Sequence, residues 1–153
     1  MSRIEKYDNW SMEVINEIAN KRKFKAALFD FDGTLSLIRE GWQEVMIPYF
    51  YEEFRDSLPD CSESEEDIMS LITDFVDELT GKQTIFQCMQ LKTEIENRGG
   101  HSKEAMDYKQ EYLRRLFLRI EDKRNALAEK SVSPVDFLVK GSYELLNALK
   151  NYG

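Results

Sequence analysis

The sequence predicts a predominantly α-helical chain that contains one clear buried strand at about residues 24–30. Two observations predict this fold class. Apolar residues recur at helical spacing over most of residues 42–151, and a short apolar run, FKAALF, stands at 24–29 directly before an aspartate. A continuous run of this kind is typical of a strand that is buried on both faces, as in a parallel sheet. Hydrophobic residues form 42% of the chain, which is enough to bury a core.

The helices are predicted from apolar residues at helical spacing and from signals at the helix ends. One helix begins at Ser62 or Ser64, where Ser62 and Glu65 fit a capping box, and Gly81 ends it. The full set of expected helices covers about 9–21, 42 to a break at 57–61, 62–80, 83–98, 103–130 and 141–151.

The composition excludes several classes of function. A net charge of −8 argues against binding to nucleic acid or to an anionic membrane surface. His101 is the single histidine of the sequence, so a metal site built from several histidines is impossible. Cys61 and Cys88 form no CxxC pair, and we expect reduced thiols. Because no apolar run approaches the roughly 20 residues of a membrane span, we expect a soluble, cytoplasmic protein.

The segment most informative about chemistry is DFDGTLS at 30–36, which directly follows the predicted strand. Open α/β sheets form their ligand sites at the carboxyl ends of strands. Asp30 and Asp32 would repel each other unless a cation lies between them, and their oxygen ligands favour Mg²⁺. With Mg²⁺, one carboxylate can attack a phosphoryl group while the other acts as general acid and base. Gly33 permits a tight turn, and Thr34 offers a hydroxyl that can orient Asp32.

Simpler explanations compete with this chemistry. An aspartate-rich turn after a strand is often only a helix cap or a solvated loop. An EF-hand calcium loop is excluded, because its sixth position requires glycine and here carries Leu35. The complete DFDGTLS sequence after an apolar strand is nevertheless more specific than a bare pair of aspartates.

The segment AALFDFDGTLS at 26–36 resembles the first signature motif of the haloacid dehalogenase superfamily. The resemblance implies an α/β fold with a Rossmann-like core, a Mg²⁺ cofactor and an aspartyl-phosphate intermediate. It implies that Asp30 is the catalytic nucleophile and a metal ligand. It also implies that Asp32 is the general acid and base, with its backbone carbonyl as a second metal ligand. The presence of Asp32 favours the phosphatases and phosphomutases over the dehalogenases.

The mostly helical residues after the motif resemble the cap of the C1-type branch, which includes phosphoglycolate phosphatase and β-phosphoglucomutase. We therefore predict three parts. Residues 1–36 would form an N-terminal helix, the first core strand and the nucleophile loop. Residues 37–132 would form the helical cap, and 133–153 a helix that returns to an incomplete core.

The predicted substrate-binding residues lie in two places. Gly33 and Thr34 belong to the motif, whereas Lys82 stands in TGKQT at 80–84, which resembles the substrate-facing loop of the cap. Lys82 could reach a substrate phosphate or sugar, and a solvated lysine is the competing explanation. The same two explanations apply to Arg39, just past the motif.

The family's second, third and fourth motifs lie downstream of the return helix and do not occur in these 153 residues. We expect the chain alone to be a poor catalyst, and a second chain or a downstream segment to complete the core. The leading hypothesis is a Mg²⁺-dependent phosphatase that acts on a small phosphorylated metabolite. The alternatives are a sugar phosphomutase of the same superfamily and a catalytically incomplete module that needs a partner chain.

Overall fold

The computed structural model describes residues 25–152, and these divide into two compact units. We call Ile38–Val132 the bundle unit. We call the described residues on either side of it, 25–37 and 133–152, the loop unit. The bundle unit is therefore an insertion within the chain of the loop unit. The predicted cap at 37–132 covers nearly the same residues, and its role as a cap stays a prediction.

The bundle unit consists of helices that pack around α1. Helix α1 contacts α2, α3 and α4, and α3 also packs along α4. The five helices are α1 (Gln43–Ser57), α2 (Glu65–Glu78), α3 (Thr84–Asn97), α4 (Ala105–Arg119) and α5 (Glu121–Ala128).

The core of the bundle unit is made of large apolar side chains at helical spacing. Phe50, Ile72 and Leu91 are fully buried and come from three different helices. Burial of one such side chain contributes about 1.5–3 kcal/mol, so the core supplies most of the stability of this unit. The fully buried or nearly buried members from α1 to α4 are Met46, Tyr49, Phe50, Phe54, Ile68, Ile72, Phe75, Val76, Cys88, Leu91, Ile95, Tyr108, Tyr112 and Leu116.

Two predicted helix boundaries need correction. Ser64, not Ser62, caps α2, because its hydroxyl accepts a hydrogen bond from the Asp67 backbone N–H at 3.1 Å. The predicted continuous helix at 103–130 is two helices, α4 and α5, separated at Ile120. Ile120 is the last core side chain of this stretch, and α5 buries no residue. The apolar face of the helix therefore ends at Ile120. A single straight helix continued past that residue would have no buried side chain to hold it against the core.

The loop unit contains a short 3₁₀ turn, Pro134–Phe137, and helix α6, Ser142–Tyr152. Its two chain segments pair with each other next to the insertion. The Leu37 N–H donates to the Phe137 carbonyl at 2.8 Å, and the Val139 N–H donates to the Leu35 carbonyl at 3.0 Å. This antiparallel pairing joins the two ends of the loop unit where the chain leaves and returns.

The buried strand predicted at about 24–30 is wrong for residues 25–30, which are irregular. Leu28 is 100% exposed, and no strand occurs within 25–152. A strand is stable only where a neighbour accepts and donates its backbone hydrogen bonds, and no described segment pairs with 25–30. The prediction of a predominantly helical chain is confirmed. The α/β core implied by the resemblance has no support in the described residues.

Other sequence predictions have mixed outcomes. Four helices were predicted close to where α1, α2, α3 and α6 lie. The helix predicted at about 9–21 falls outside the described residues. No helix within the described part of the chain has the length and apolar character needed to cross a bilayer.

Candidate functional site

The predicted nucleophile loop lies in the loop unit and forms a tight turn. The backbone N–H groups of Leu35 and Ser36 both donate to the Phe31 carbonyl at 2.9 Å. The Gly33 N–H donates to the Ser36 carbonyl at 2.8 Å. These three bonds close the loop over Asp32, which also forms an isolated parallel bridge with Ser36. The local sequence therefore specifies a compact turn even though the segment before it forms no strand.

Gly33 has a conformational reason for its place in this turn. Its φ angle is +77°, in the left-handed region that side chains with a Cβ disfavour. No atom lies within 4 Å of where a Cβ at Gly33 would stand, so the backbone angle, not the available space, requires glycine. The sequence prediction that Gly33 permits a tight turn is confirmed by this geometry.

Thr34 contacts a different aspartate from the one predicted. Its hydroxyl Oγ1 donates to Asp30 Oδ2 at 3.2 Å. From the sequence, this hydroxyl is expected to orient Asp32. The compact turn instead brings residue 34 back to residue 30, so the hydroxyl holds one rotamer of the Asp30 carboxylate.

The chain segment that follows the insertion contacts the predicted nucleophile loop. Ser36 forms an antiparallel bridge with Leu138. Ser142, buried at the start of α6, donates from its hydroxyl to the Val139 carbonyl at 2.6 Å and lies 3.5 Å from the Leu35 carbonyl. Ser142 is not among the site residues that the sequence predicts. A serine directly after Gly141, at the start of an amphipathic helix, is the signal that could have identified it.

The two carboxylates are accessible to solvent. Asp30 and Asp32 are both exposed, as are Gly33 and Thr34. Because both carboxylates are exposed, a ligand can reach them from solvent. The arrangement can hold a cation, attack an electrophile or exchange a proton with a bound group.

The donor chemistry of this loop fits a magnesium ion. Mg²⁺ prefers oxygen ligands and commonly takes only one or two carboxylates from a protein, with water and substrate phosphate in the other positions. Asp30 and Asp32 meet that requirement. Among the described residues, no group of three or more His, Cys, Asp and Glu side chains could hold a metal. Asp30 and Asp32 are the described side chains of this loop that would hold a Mg²⁺ ion.

Lys82 belongs to the bundle unit, apart in the chain from the other candidate residues. It stands in the loop between α2 and α3, where its backbone N–H donates to the Leu79 carbonyl at 3.1 Å. Its neighbour Gly81 has a φ angle of +88°, which turns the chain toward α3. Lys82 is exposed, so its side chain is available for either of the two roles considered for it.

The comparisons with known proteins identify no relative. No family model matches the chain, and neither a search of curated proteins nor a search of solved structures found a match. The resemblance at 26–36 to the haloacid dehalogenase superfamily therefore rests on the motif itself. Membership of the chain in that superfamily stays a prediction.

Proposed function

We propose that this chain contributes the nucleophile and the cap of a Mg²⁺-dependent phosphohydrolase that acts on a small phosphorylated metabolite. The observation that carries the proposal is the loop at 30–36, in which an exposed carboxylate is held by a threonine hydroxyl on a tight glycine turn. A nucleophile must be both accessible and oriented, and Asp30 meets both conditions.

The proposed reaction proceeds in two steps. In the first, a carboxylate oxygen of Asp30 attacks the substrate phosphorus, the bond to the leaving alkoxide breaks, and Asp32 donates a proton to that alkoxide. In the second, Asp32 takes a proton from water as the water attacks the phosphorus of the aspartyl-phosphate. Inorganic phosphate leaves, and the Asp30 carboxylate is regenerated.

Thr34 is proposed as a positioning residue, because its hydrogen bond to Asp30 Oδ2 leaves the other carboxylate oxygen for the attack. The backbone N–H groups of a tight turn are a common source of donors for phosphate oxygens. Mg²⁺ bound to Asp30 and Asp32 would offset the negative charge of the phosphoryl group.

The bundle unit is the proposed cap. Its support is the insertion of Ile38–Val132 directly after the loop, between two segments that are paired with each other by antiparallel hydrogen bonds. A unit that is inserted through two adjacent chain segments can move as one body while the loop keeps its geometry.

A second observation favours a partner that completes the loop unit. Residues 26–29 are apolar, yet Leu28 is fully exposed and Phe31 is 59% exposed. Exposed apolar chain with unpaired backbone groups is suited to pairing with a strand of another segment or chain. We therefore propose that such a segment covers 26–29 and brings further charged groups to the site.

The experiment that tests the proposal is an assay of the purified chain for Mg²⁺-dependent release of phosphate. The substrates are an aryl phosphate and a panel of sugar phosphates, for which product analysis separates hydrolysis from transfer to a sugar. The variants are Asp30→Asn and a matched control, Asp60→Asn, which changes an exposed aspartate of the bundle unit. We expect slow phosphate release that needs Mg²⁺, that Asp30→Asn abolishes and that Asp60→Asn leaves unchanged.

The opposite result has a defined meaning. If the wild type and Asp30→Asn release phosphate equally, this chain does not catalyse the reaction by itself. The chain is then better described as a catalytically incomplete module that needs a partner chain. Size-exclusion chromatography of the same preparation then tests that description, because a chain that pairs through 26–29 should elute as an oligomer. The variant Leu28→Lys, which adds a charge to the exposed segment, should shift that oligomer toward the monomer.

A further inference from the structure

Two guanidinium groups lie over one aromatic ring in the bundle unit, near the end of α4, and a lysine next to one of them in sequence contacts the backbone beside the other. The guanidinium carbon of Arg124 lies 5.5 Å from the centroid of the Phe117 ring, and that of Arg39 lies 6.0 Å from the same centroid. Lys123 Nζ is 3.5 Å from the carbonyl oxygen of Ile38, the residue before Arg39. We call Arg39, Phe117, Lys123 and Arg124 the Phe117 cluster.

The cations of this cluster contrast with the three arginines of α4. Arg114 and Arg115 are both paired with Glu111, at 2.7 and 2.8 Å, and Arg119 is paired with Glu44 at 2.6 Å. The three arginines of α4 are thus each paired with a nearby carboxylate, in a chain whose net charge is −8.

The cluster lacks that neutralisation at two of its members. Within the part of the chain that the structure describes, neither Lys123 nor Arg124 forms an ion pair with a carboxylate. Glu121 and Asp122 precede them directly in the sequence, and both are exposed. The N–H donors of Arg124 and Lys123 therefore have no carboxylate acceptor in this unit, although both side chains are held in place by other contacts.

The ring that holds the cluster is itself open to solvent. Phe117 is 43% exposed, and Arg124 is exposed beside it. Cation–π contacts fix the positions of the guanidinium groups without neutralising their charge. The cluster thus holds charged N–H donors beside a partly exposed aromatic ring.

We infer that the Phe117 cluster is a binding site for the phosphate group of a small molecule. Arginine N–H groups match phosphate oxygens in geometry, and a phosphate carries enough charge to interact with more than one of these cations. The inference depends on no step of the proposed hydrolysis, because all four residues and Ile38 belong to the bundle unit.

The test is a calorimetric titration of the full chain with inorganic pyrophosphate, without Mg²⁺ and at low ionic strength. We expect saturable binding that Arg124→Gln and Lys123→Gln each weaken by about fivefold. The matched control is Lys109→Gln, which removes one positive charge from α4 about 12 Å along the helix axis from Phe117. This control should bind pyrophosphate as the wild type does.

A fourth variant separates a positioned site from general attraction between charges. Phe117→Leu keeps every charge and removes the ring, and we expect it to weaken binding by a similar factor. Absence of saturable binding in the wild type would overturn the inference, and so would equal weakening in Lys109→Gln and Arg124→Gln. Asp30→Asn should retain full binding, so this inference and the proposed hydrolysis can fail separately. Far-UV circular dichroism confirms that each variant is folded.

Discussion

The loop unit and the bundle unit distribute their apolar residues in opposite ways. In the bundle unit, Phe50, Ile72 and Leu91 are fully buried between helices. In the loop unit, Leu28 is 100% exposed, and Leu146 and Leu149 of α6 are 40% and 42% exposed. The bundle unit therefore has a complete core of its own, whereas the loop unit carries the candidate catalytic residues with little core beneath them.

The buried core and the candidate site residues thus lie in different units of the chain. Regions with few buried apolar contacts open at low free-energy cost, and functional loops are drawn from such regions. In the loop unit, Asp30 is positioned by short-range hydrogen bonds within 31–36 and by pairing with 137–139, not by a packed core. Substitutions should therefore affect the two units very differently.

The largest difference is expected from one substitution made in both units. Leu91→Ala removes a fully buried side chain from the bundle core and should reduce the free energy of unfolding by about 2–5 kcal/mol. Leu28→Ala removes a fully exposed side chain and should change it by less than about 0.5 kcal/mol. Urea denaturation followed by far-UV circular dichroism measures both. A cost at Leu28 that approaches the cost at Leu91 would contradict the comparison.

The next effect is a loss of stability in alkali that originates in the bundle core. Burial raises the pKa of the Cys88 thiol from 9.0 to about 12. Burial, reinforced by the nearby Glu53 carboxylate, also raises the pKa of Tyr49. A raised pKa means that the folded state holds its proton more strongly than the unfolded state does. The stability that these two groups contribute is therefore fully present below about pH 9 and is lost as the pH rises toward 12.

The measurement for this prediction is the free energy of unfolding at several pH values between 8 and 12, on the scale set by these pKa values. Cys88→Ala should flatten the decline, because the unfolded variant has no thiol to ionise at that position. Cys61→Ala serves as the control, since Cys61 is only partly buried. An equal decline in the wild type and Cys88→Ala would show that Cys88 contributes nothing to it.

Substitutions at two glycines test the same difference between the bundle unit and the loop unit, with a smaller expected change in stability. A Cβ added at Gly100 would lie 2.8 Å from both Leu58 Cδ2 and the Ser57 carbonyl oxygen, so Gly100→Ala should cost about 1–3 kcal/mol by overpacking. At Gly33 the surrounding space is open, and Gly33→Ala should cost about 1–2 kcal/mol locally through its φ angle of +77°. We expect thermal unfolding of the bundle unit to shift for Gly100→Ala and not for Gly33→Ala.

The smallest effect is expected at Tyr49. Its ring is buried in the bundle core and contacts the Arg115 guanidinium at 4.5 Å, while its hydroxyl has no hydrogen-bond partner. Tyr49→Phe keeps the ring and removes the unpaired polar group, so it should be neutral or stabilising by up to about 1 kcal/mol. Destabilisation by more than that, measured by urea denaturation, would indicate a hydrogen bond to ordered water.

The helices were predictable because their apolar faces bury against one another within a single unit. The stripe from Ile68 to Phe75 predicts α2, and glycines with left-handed backbone angles end α2 and α3 at Gly81 and Gly99. The break at Ile120 was not predictable in this way, because residues 121–130 keep a helical pattern of charges after the core has ended.

The strand at 24–30 could not be predicted correctly from its own residues, because a strand also depends on neighbours elsewhere in the chain. The turn at 31–36 was predictable from Gly33 alone. The partner of Thr34 was not, because its hydroxyl is near two aspartates in sequence and only the fold of the turn selects Asp30. The motif at 26–36 predicts Asp30, Asp32 and Thr34 as candidate site residues. Ser142 is identified only by its hydrogen bonds in the structure.

Chemical trapping of an acyl phosphate on the full chain tests most directly whether Asp30 is the nucleophile. The protein is incubated with Mg²⁺ and acetyl phosphate and then reduced with borohydride, which converts a phosphorylated aspartate to homoserine. Peptide mass spectrometry reads the position. We expect homoserine at residue 30, none at Asp32, and no product in Asp30→Asn or in urea-unfolded protein. Homoserine at Asp32, or no homoserine at residue 30 in the folded wild type, would contradict the assignment of Asp30 as the nucleophile.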